Sequence, residues 1–225
     1  MSGSHIQNHR NNILYAKYLK NIFLKINNMQ TLSRSEKIKE IRTLCTRFRN
    51  AIDIAVKNGD FLSDKNFCEF PRGCCSYASS LLGVWLYDNG INTYDVSGKY
   101  EDDHDFQSHE WLETEDGIVI DITRDQFKDS KAPYQCKDRV YVGERDDICE
   151  LFREYANSQD KKIYLAIDPD TRTELGHEHK LSERYDIIMK YMGEPYKKIK
   201  PFSRDLRKPM DSNYVDYTKF YKGKL

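Results

Sequence analysis

The sequence predicts an α+β domain in which helices come first and a mostly antiparallel sheet follows. Two helical patterns precede any segment that resembles a strand, a third helix comes next, and the strands after it are short and closely spaced. The 225 residues carry 36 Lys and Arg, 36 Asp and Glu, and 12% aromatic side chains, a composition that suits a hydrophobic core. We expect a helical N-terminal arm at 1–60, an α+β core at 61–192, and a basic, tyrosine-rich tail at 193–225 packed on the core.

Two amphipathic helices make up the N-terminal arm. The second begins at a capping box formed by Ser33 and Glu36 and ends at Asn58-Gly59. Residues 1–60 hold 11 basic and 4 acidic residues, whereas residues 61–135 hold 6 and 15. A basic amphipathic helix can contact a partner or a membrane, but packing on the rest of the domain is the favoured interpretation. The apolar stripe of the first helix consists of Tyr15, Tyr18, Leu19, Ile22 and Ile26.

The remaining elements follow from local periodicity. Residues 76–89 have helical spacing and end at Asn89-Gly90. Strands are predicted at Thr93–Ser97, Ser108–Glu113, Ile118–Thr123, Arg139–Val142 and Lys162–Ile167, and further helices at Asp146–Ala156 and Leu181–Met192.

Six cysteines lie at positions 45, 68, 74, 75, 136 and 149, without a CxxC pair. This spacing argues against a disulfide scaffold and against a zinc module. His177 and His179 alternate as strand ligands do, but two histidines make a poor metal site, so we expect a surface loop and no metal or other cofactor. No apolar stretch approaches the roughly 20 residues of a membrane span, and no secretory signal is visible. The default expectation is a cytoplasmic protein, although secretion by another route stays open.

Residues 70–127 contain the most informative pattern. Cys74 and Cys75 stand at the first turn of a helix, His109 opens a strand, and Asp121 lies in the next strand. Nucleophilic thiol catalysis needs a thiolate, a base that takes its proton, and a carboxylate that orients the imidazole. The positive end of a helix stabilises a thiolate, which suits a cysteine in this position.

The turn between the two strands decides whether His109 can meet Asp121. A two-residue turn would place the two side chains on opposite faces of the sheet. A three-residue loop, with Gly117 in the left-handed conformation of a bulge, pairs Thr114 with Ile118 and brings His109 and Asp121 to the same face. A catalytic triad therefore requires the bulged hairpin.

These residues resemble the transglutaminase-like branch of the papain-like cysteine enzymes over residues 66–127. The resemblance rests on Gly-x-Cys at a helix start, a His-x-Trp strand and an Asp-x-Thr strand. It implies a cysteine-bearing helix packed on an antiparallel sheet, and amide chemistry through a thioester without a metal. By motif, Cys75 matches the nucleophile, His109 the general base and Asp121 the orienting acid. Arylamine acetyltransferases share the order of the three residues but carry Arg-Gly-Gly-x-Cys, where this chain has residues 71–75 as Pro-Arg-Gly-Cys-Cys, so that branch ranks lower.

Other residues of the predicted site are weaker candidates. Asn66 or Gln107 could complete an oxyanion hole, Cys74 could pack beneath Cys75, and Trp111 could wall the cleft. His104 is a less favoured alternative to His109 as the base, because it lies in an acidic loop. For a single cysteine, a small buried core residue is the commonest role.

The sequence thus predicts a cysteine-dependent amide-bond hydrolase, either a protease or a protein deamidase, whose catalytic core is 61–192. A transglutaminase or other amine acyltransferase with the same triad is the first alternative. The second is a catalytically inactive interaction protein on the same scaffold. We expect a protein or peptide substrate, and no nucleic acid, because the chain is neutral overall and lacks RNA-binding signatures.

Overall fold

The computed structural model describes residues 20, 21, 23–101, 106–130, 133–154 and 181–193. Five helices lie in these ranges: α1 (residues 23–31), α2 (Arg34–Lys57), α3 (Cys75–Asp88), α4 (Asp147–Leu151) and α5 (Leu181–Met192). The strands are β1 (Thr93–Glu101), β2 (Phe106–Thr114), β3 (Val119–Asp121), β4 (Tyr141–Gly143) and β5 (Arg153–Glu154), and a 3-10 turn spans Arg124–Phe127. The predicted strand Lys162–Ile167, the residues His104, His177 and His179, and the tail after residue 193 lie outside the described residues.

Helix α2 begins and ends where its sequence signals predict. The Ser33 side chain accepts from the backbone N–H of Glu36, and the Glu36 carboxylate accepts from the backbone N–H of Ser33 at 2.9 Å, which completes the capping box. Asn58 is the C-cap, and Gly59 follows with a φ of 80°. The buried apolar face of α2 packs in the same cluster as α3, so this basic helix is part of the main core.

All five strands form one sheet in the order β4-β3-β2-β1-β5, and each pairing in the described ranges is antiparallel. Helices and an antiparallel sheet make the protein an α+β fold, as the sequence predicts. β1 and β2 are longer than predicted and pair over their whole length, from Thr93 opposite Thr114 to Glu101 opposite Phe106. β4 lies slightly later than the predicted Arg139–Val142.

Two hydrophobic clusters flank the sheet, because successive side chains of a strand point to opposite faces. Leu112 of β2 and Ile120 of β3 belong to the larger cluster with α2, α3 and α5. Trp111 of β2 and Val119 of β3 belong to the smaller, aromatic-rich cluster with Phe152. This alternation decides which side chains of β2 and β3 can meet.

The prediction of a helix over Asp146–Ala156 is wrong beyond its first turn. Asp146 caps α4 as expected, since its side chain accepts from the backbone N–H of Cys149. The helix ends at Leu151, Phe152 is extended, and β5 pairs with Gly98 and Lys99 of β1. A Cβ at Gly98 would lie 2.8 Å from the backbone oxygen of Phe152, so the absent side chain permits this close approach.

A buried ion pair ties α5 to the loop before α3. Arg184 donates to Asp64 through Nε at 2.6 Å and Nη2 at 3.0 Å, and both side chains are 1% exposed. The guanidinium also lies 4.8 Å from the ring centroid of Tyr77. None of the helices in the described ranges has the length and apolar character that crossing a membrane requires.

Candidate functional site

The β2–β3 hairpin has the bulged register that a His109–Asp121 contact needs. Leu112 pairs with Ile120 and Glu113 with Val119, and the backbone N–H of Thr114 donates to the Ile118 oxygen at 3.0 Å. Gly117 has a φ of 78°, and its N–H donates to the Thr114 oxygen at 2.9 Å. The three-residue loop is therefore confirmed, and His109 and Asp121 project to the same side.

His109 and Asp121 form a short, buried contact. His109 Nε2 lies 2.6 Å from Asp121 Oδ2, and the two side chains are each 2% exposed. The Asp121 carboxylate also accepts from the backbone N–H of Thr123 at 2.9 Å and from Arg124 Nε at 3.3 Å. Because this carboxylate accepts all three bonds, the proton between the two groups belongs to Nε2 of the imidazole.

The electrostatics favour an ionised pair. Burial acts to lower the pKa of His109, but the charge of Asp121, its hydrogen bond and the Cys75 thiol raise that pKa to about 9. Burial acts to raise the pKa of Asp121, yet the charge and hydrogen bond of His109 and the charge of Arg124 hold it below its usual range. The charges of the two groups therefore favour the imidazolium and carboxylate forms of the pair.

Aromatic rings enclose the imidazole. The ring centroids of Trp111, Phe127 and Phe152 lie 5.7, 5.1 and 5.4 Å from that of His109. These three side chains keep water from the His109–Asp121 contact. In such surroundings charge interactions are stronger than in water, which explains why Asp121 affects His109 so strongly.

The two adjacent cysteines have different environments. Cys75 is the first residue of α3, is half-buried, and its thiol contributes to the raised pKa of His109. Cys74 is 0% exposed, its Sγ donates to the backbone oxygen of Pro71 at 3.2 Å, and burial raises its pKa. A thiol nucleophile must be accessible to substrate, so the half-buried Cys75 fits that role and the fully buried Cys74 fits a core role.

The weaker candidates lie around this group in different ways. Asn66 is in the loop before α3, where its backbone N–H donates to Asp64 at 3.0 Å, and Gln107 lies on β2 two residues before His109. Trp111 is 1% exposed and donates Nε1 to Glu113 at 3.1 Å. Its ring is packed inside the second cluster beside the imidazole, which is the core role commoner for a tryptophan on a strand.

Sequence reasoning assigned no role to two residues that contact the pair. The Arg124 guanidinium bonds Asp146 at 2.5 and 3.1 Å while it reaches Asp121, so it links α4 to the site. Gln126 Nε2 lies 2.9 Å from Nδ1 of His109. Both residues belong to the 3-10 turn that follows Asp121. The only sequence feature that pointed to them is their position, three and five residues after the predicted triad carboxylate.

The part of the chain that the structure describes holds no group of three or more His, Cys, Asp and Glu side chains arranged to bind a metal ion. No family model, no curated protein and no solved structure matches the chain.

Proposed function

We propose that the protein is a cysteine-dependent enzyme that cleaves amide bonds of a protein or peptide substrate. The observation that carries this proposal is the buried 2.6 Å contact of His109 with Asp121, together with the interaction of the half-buried Cys75 with the same imidazole. An imidazolium next to a thiol stabilises the thiolate, and Cys75 lies at the first turn of a helix, which adds to this effect. The same order of elements supports the resemblance to the transglutaminase-like branch of the papain-like enzymes.

In this mechanism the Cys75 thiolate attacks the carbonyl carbon of the amide, and a carbon–sulfur bond forms. The His109 imidazolium gives its proton to the leaving nitrogen as the carbon–nitrogen bond breaks, which leaves a thioester. Neutral His109 then takes a proton from water, and the resulting attack releases the acid and the thiolate. Asp121 holds the imidazole with Nε2 protonated throughout. An amine in place of water would give a transamidated product, so acyl transfer is the alternative outcome.

The first test is the rate of iodoacetamide labelling of each cysteine against pH, with peptide mass spectrometry to locate the label. Cys68 is exposed and Cys45 is fully buried, so they serve as internal references. We expect Cys75 to react at least about tenfold faster than Cys68 near pH 6, because a thiolate is the reactive species. Substitution His109→Ala should remove this advantage.

The matched control is Cys68→Ser, which should leave the labelling of Cys75 unchanged. If Cys75 labels no faster than Cys68 and His109→Ala has no effect, the interaction-protein alternative is favoured. If Cys75 is reactive, peptides, glutamine side chains and amine acceptors are then tested as substrates. Cys75→Ser should abolish their turnover, and a variant that keeps its turnover would refute the assignment.

A further inference from the structure

Asp121 and Gln126 contact different nitrogens of the His109 imidazole. Nε2 carries the proton that bonds Asp121, so Nδ1 is the nitrogen left to exchange a proton with a thiol. In the proposed function, Nδ1 is therefore the nitrogen that exchanges a proton with the Cys75 thiol, which raises the pKa of His109. Gln126 Nε2 lies 2.9 Å from this same atom. The carboxamide of Gln126 thus occupies the nitrogen that the proposed mechanism assigns to the Cys75 thiol.

The backbone that carries Gln126 is firmly held. Its N–H donates to the Thr123 oxygen at 3.0 Å within the 3-10 turn. The neighbouring Asp125 receives two hydrogen bonds of 2.8 Å from the buried Arg49 of α2. Phe127, on the other side, is buried against the His109 ring. The half-buried Gln126 side chain therefore reaches the imidazole from a fixed base, which is what a residue that positions another group requires.

We propose that Gln126 is a positioning residue that sets the protonation of His109 at Nδ1, and that it thereby controls when the imidazole can exchange a proton with Cys75. The role at Cys75 rests on the proposed function, whereas the effect on His109 does not. An amide N–H that donates to Nδ1 stabilises the neutral imidazole and occupies the lone pair that would take the thiol proton. Gln126 must release this nitrogen for the imidazolium–thiolate pair to form.

Several charged or titratable groups act on His109 besides Gln126. They are Asp121 on β3, Arg124 on the 3-10 turn through its bond to Asp121, Cys75 on α3, and the adjacent Glu110 on β2. Asp121 favours the imidazolium, and a donor at Nδ1 opposes it. Since these groups stay in place when only residue 126 is changed, variants at this position isolate its contribution.

Two substitutions test the proposal. Gln126→Glu keeps the size of the side chain but presents a carboxylate that accepts from a protonated Nδ1. Gln126→Met keeps the length and removes hydrogen bonding. The measurement is an NMR titration of the His109 ring nitrogens, assigned by the signals that disappear in His109→Gln. We expect the titration midpoint to rise in both variants, by about one pH unit or more for Glu and by less for Met.

The matched control is Gln135→Met, the same change at an exposed glutamine whose side chain donates to the backbone oxygen of Lys128. It should leave the His109 midpoint unchanged. A midpoint that stays within about 0.2 units in both Gln126 variants, or that falls in Gln126→Met, would overturn the proposal. A general loss of packing would lower the thermal unfolding midpoint of the variants. It would not make the His109 titration midpoint rise more in Gln126→Glu than in Gln126→Met.

Labelling of Cys75 in the same variants separates this inference from the proposed function. If Cys75 is reactive but the His109 titration midpoint is unchanged in the Gln126 variants, Gln126 has no role in the mechanism and the triad is retained. If Cys75 is unreactive but the His109 titration midpoint shifts in the Gln126 variants, the triad is rejected and the coupling of Gln126 to His109 is retained. If both proposals hold, the variants that raise the His109 midpoint also extend fast Cys75 labelling to lower pH, because a more stable imidazolium stabilises the thiolate.

Discussion

His109 is a buried base whose protonation is linked to folding. Its pKa is raised from an ordinary value of 6.5 to about 9, so the folded protein holds this proton over a pH range in which the unfolded chain has lost it. The stabilising contribution is complete below about pH 6.5 and is lost as the pH rises through about 9. Asp121 acts in the opposite direction, because its lowered pKa gives a contribution that is present at neutral pH and is lost as the pH falls below the ordinary carboxyl range.

We therefore expect the free energy of unfolding to fall by about 3 kcal/mol between pH 6.5 and pH 9 through His109 alone, at about 1.4 kcal/mol for each pKa unit. Urea unfolding at several pH values measures this slope. His109→Gln removes the titrating group and should flatten the curve over this range. Equal slopes for the wild type and the variant would contradict an ion pair at this position.

The sequence predicted the contact of His109 with Asp121, but it did not predict the other side chains that contact this pair. The positions of His109, Asp121 and Gly117 are related by strand parity, which is a local rule and can be read without the fold. Gln126 and Arg124 could not be found in this way, because a loop glutamine and a loop arginine have no periodic signal. Their roles depend on how the 3-10 turn folds back over β2 and β3.

At the scale of elements, a pair of neighbouring carboxyl groups lies where α3 contacts the sheet. Both carboxylate oxygens of Asp95 on β1 are shielded from solvent, and burial together with the nearby Glu110 on β2 raises its pKa well above the usual range. Burial also raises the pKa of Glu110, whose carboxylate interacts with Ser76, the second residue of α3. Two carboxyl groups so placed favour a state in which they share one proton.

Substitution Asp95→Asn tests this shared proton, because an amide supplies the hydrogen bond without an ionisation. Asp95 has a raised pKa, so its protonated form stabilises the fold in acid and this advantage is lost as the pH rises. We expect the stability of the variant relative to the wild type to increase from pH 4 to pH 8. Thermal or urea unfolding checks this, with the exposed Asp138→Asn as the control. A constant difference across pH would contradict the shared proton.

Elements were predictable where their signals are local and were missed where they depend on distant residues. The capping box of α2 and the Gly117 bulge are encoded within a few residues, and both are observed as predicted. The end of α4 and the strand β5 depend on Gly98, which precedes both elements by about 50 positions. A window of sequence around Asp146 contains no sign of that partner, so helical periodicity gave the wrong result there.

At the scale of the whole molecule, the pair of Arg184 with Asp64 joins segments that are 120 residues apart. The loop that contains Asp64 leads into α3, so this pair also fixes the approach to Cys75. Removal of one partner leaves the other as a buried, uncompensated charge.

We expect Arg184→Met to lower the free energy of unfolding by about 3–5 kcal/mol, as measured by urea denaturation. The double substitution Arg184→Met with Asp64→Leu should recover much of this loss, because no buried charge remains. Arg72→Met, which breaks the exposed pair with Asp129, is the matched control and should cost less than about 1 kcal/mol. A similar cost for the buried and exposed arginines would show that the buried pair does not anchor α5.

The turn that leads into the two cysteines has a further consequence. Gly73 has a φ of 68°, yet a Cβ built at this position would meet nothing within 4 Å. The requirement at residue 73 is therefore one of handedness and not of size, since L-residues are strained at this φ while D-residues favour it. In a chemically synthesised chain, a D-alanine at residue 73 would adopt this backbone conformation without the strain that L-alanine would carry there, even though the L side chain would meet no neighbour.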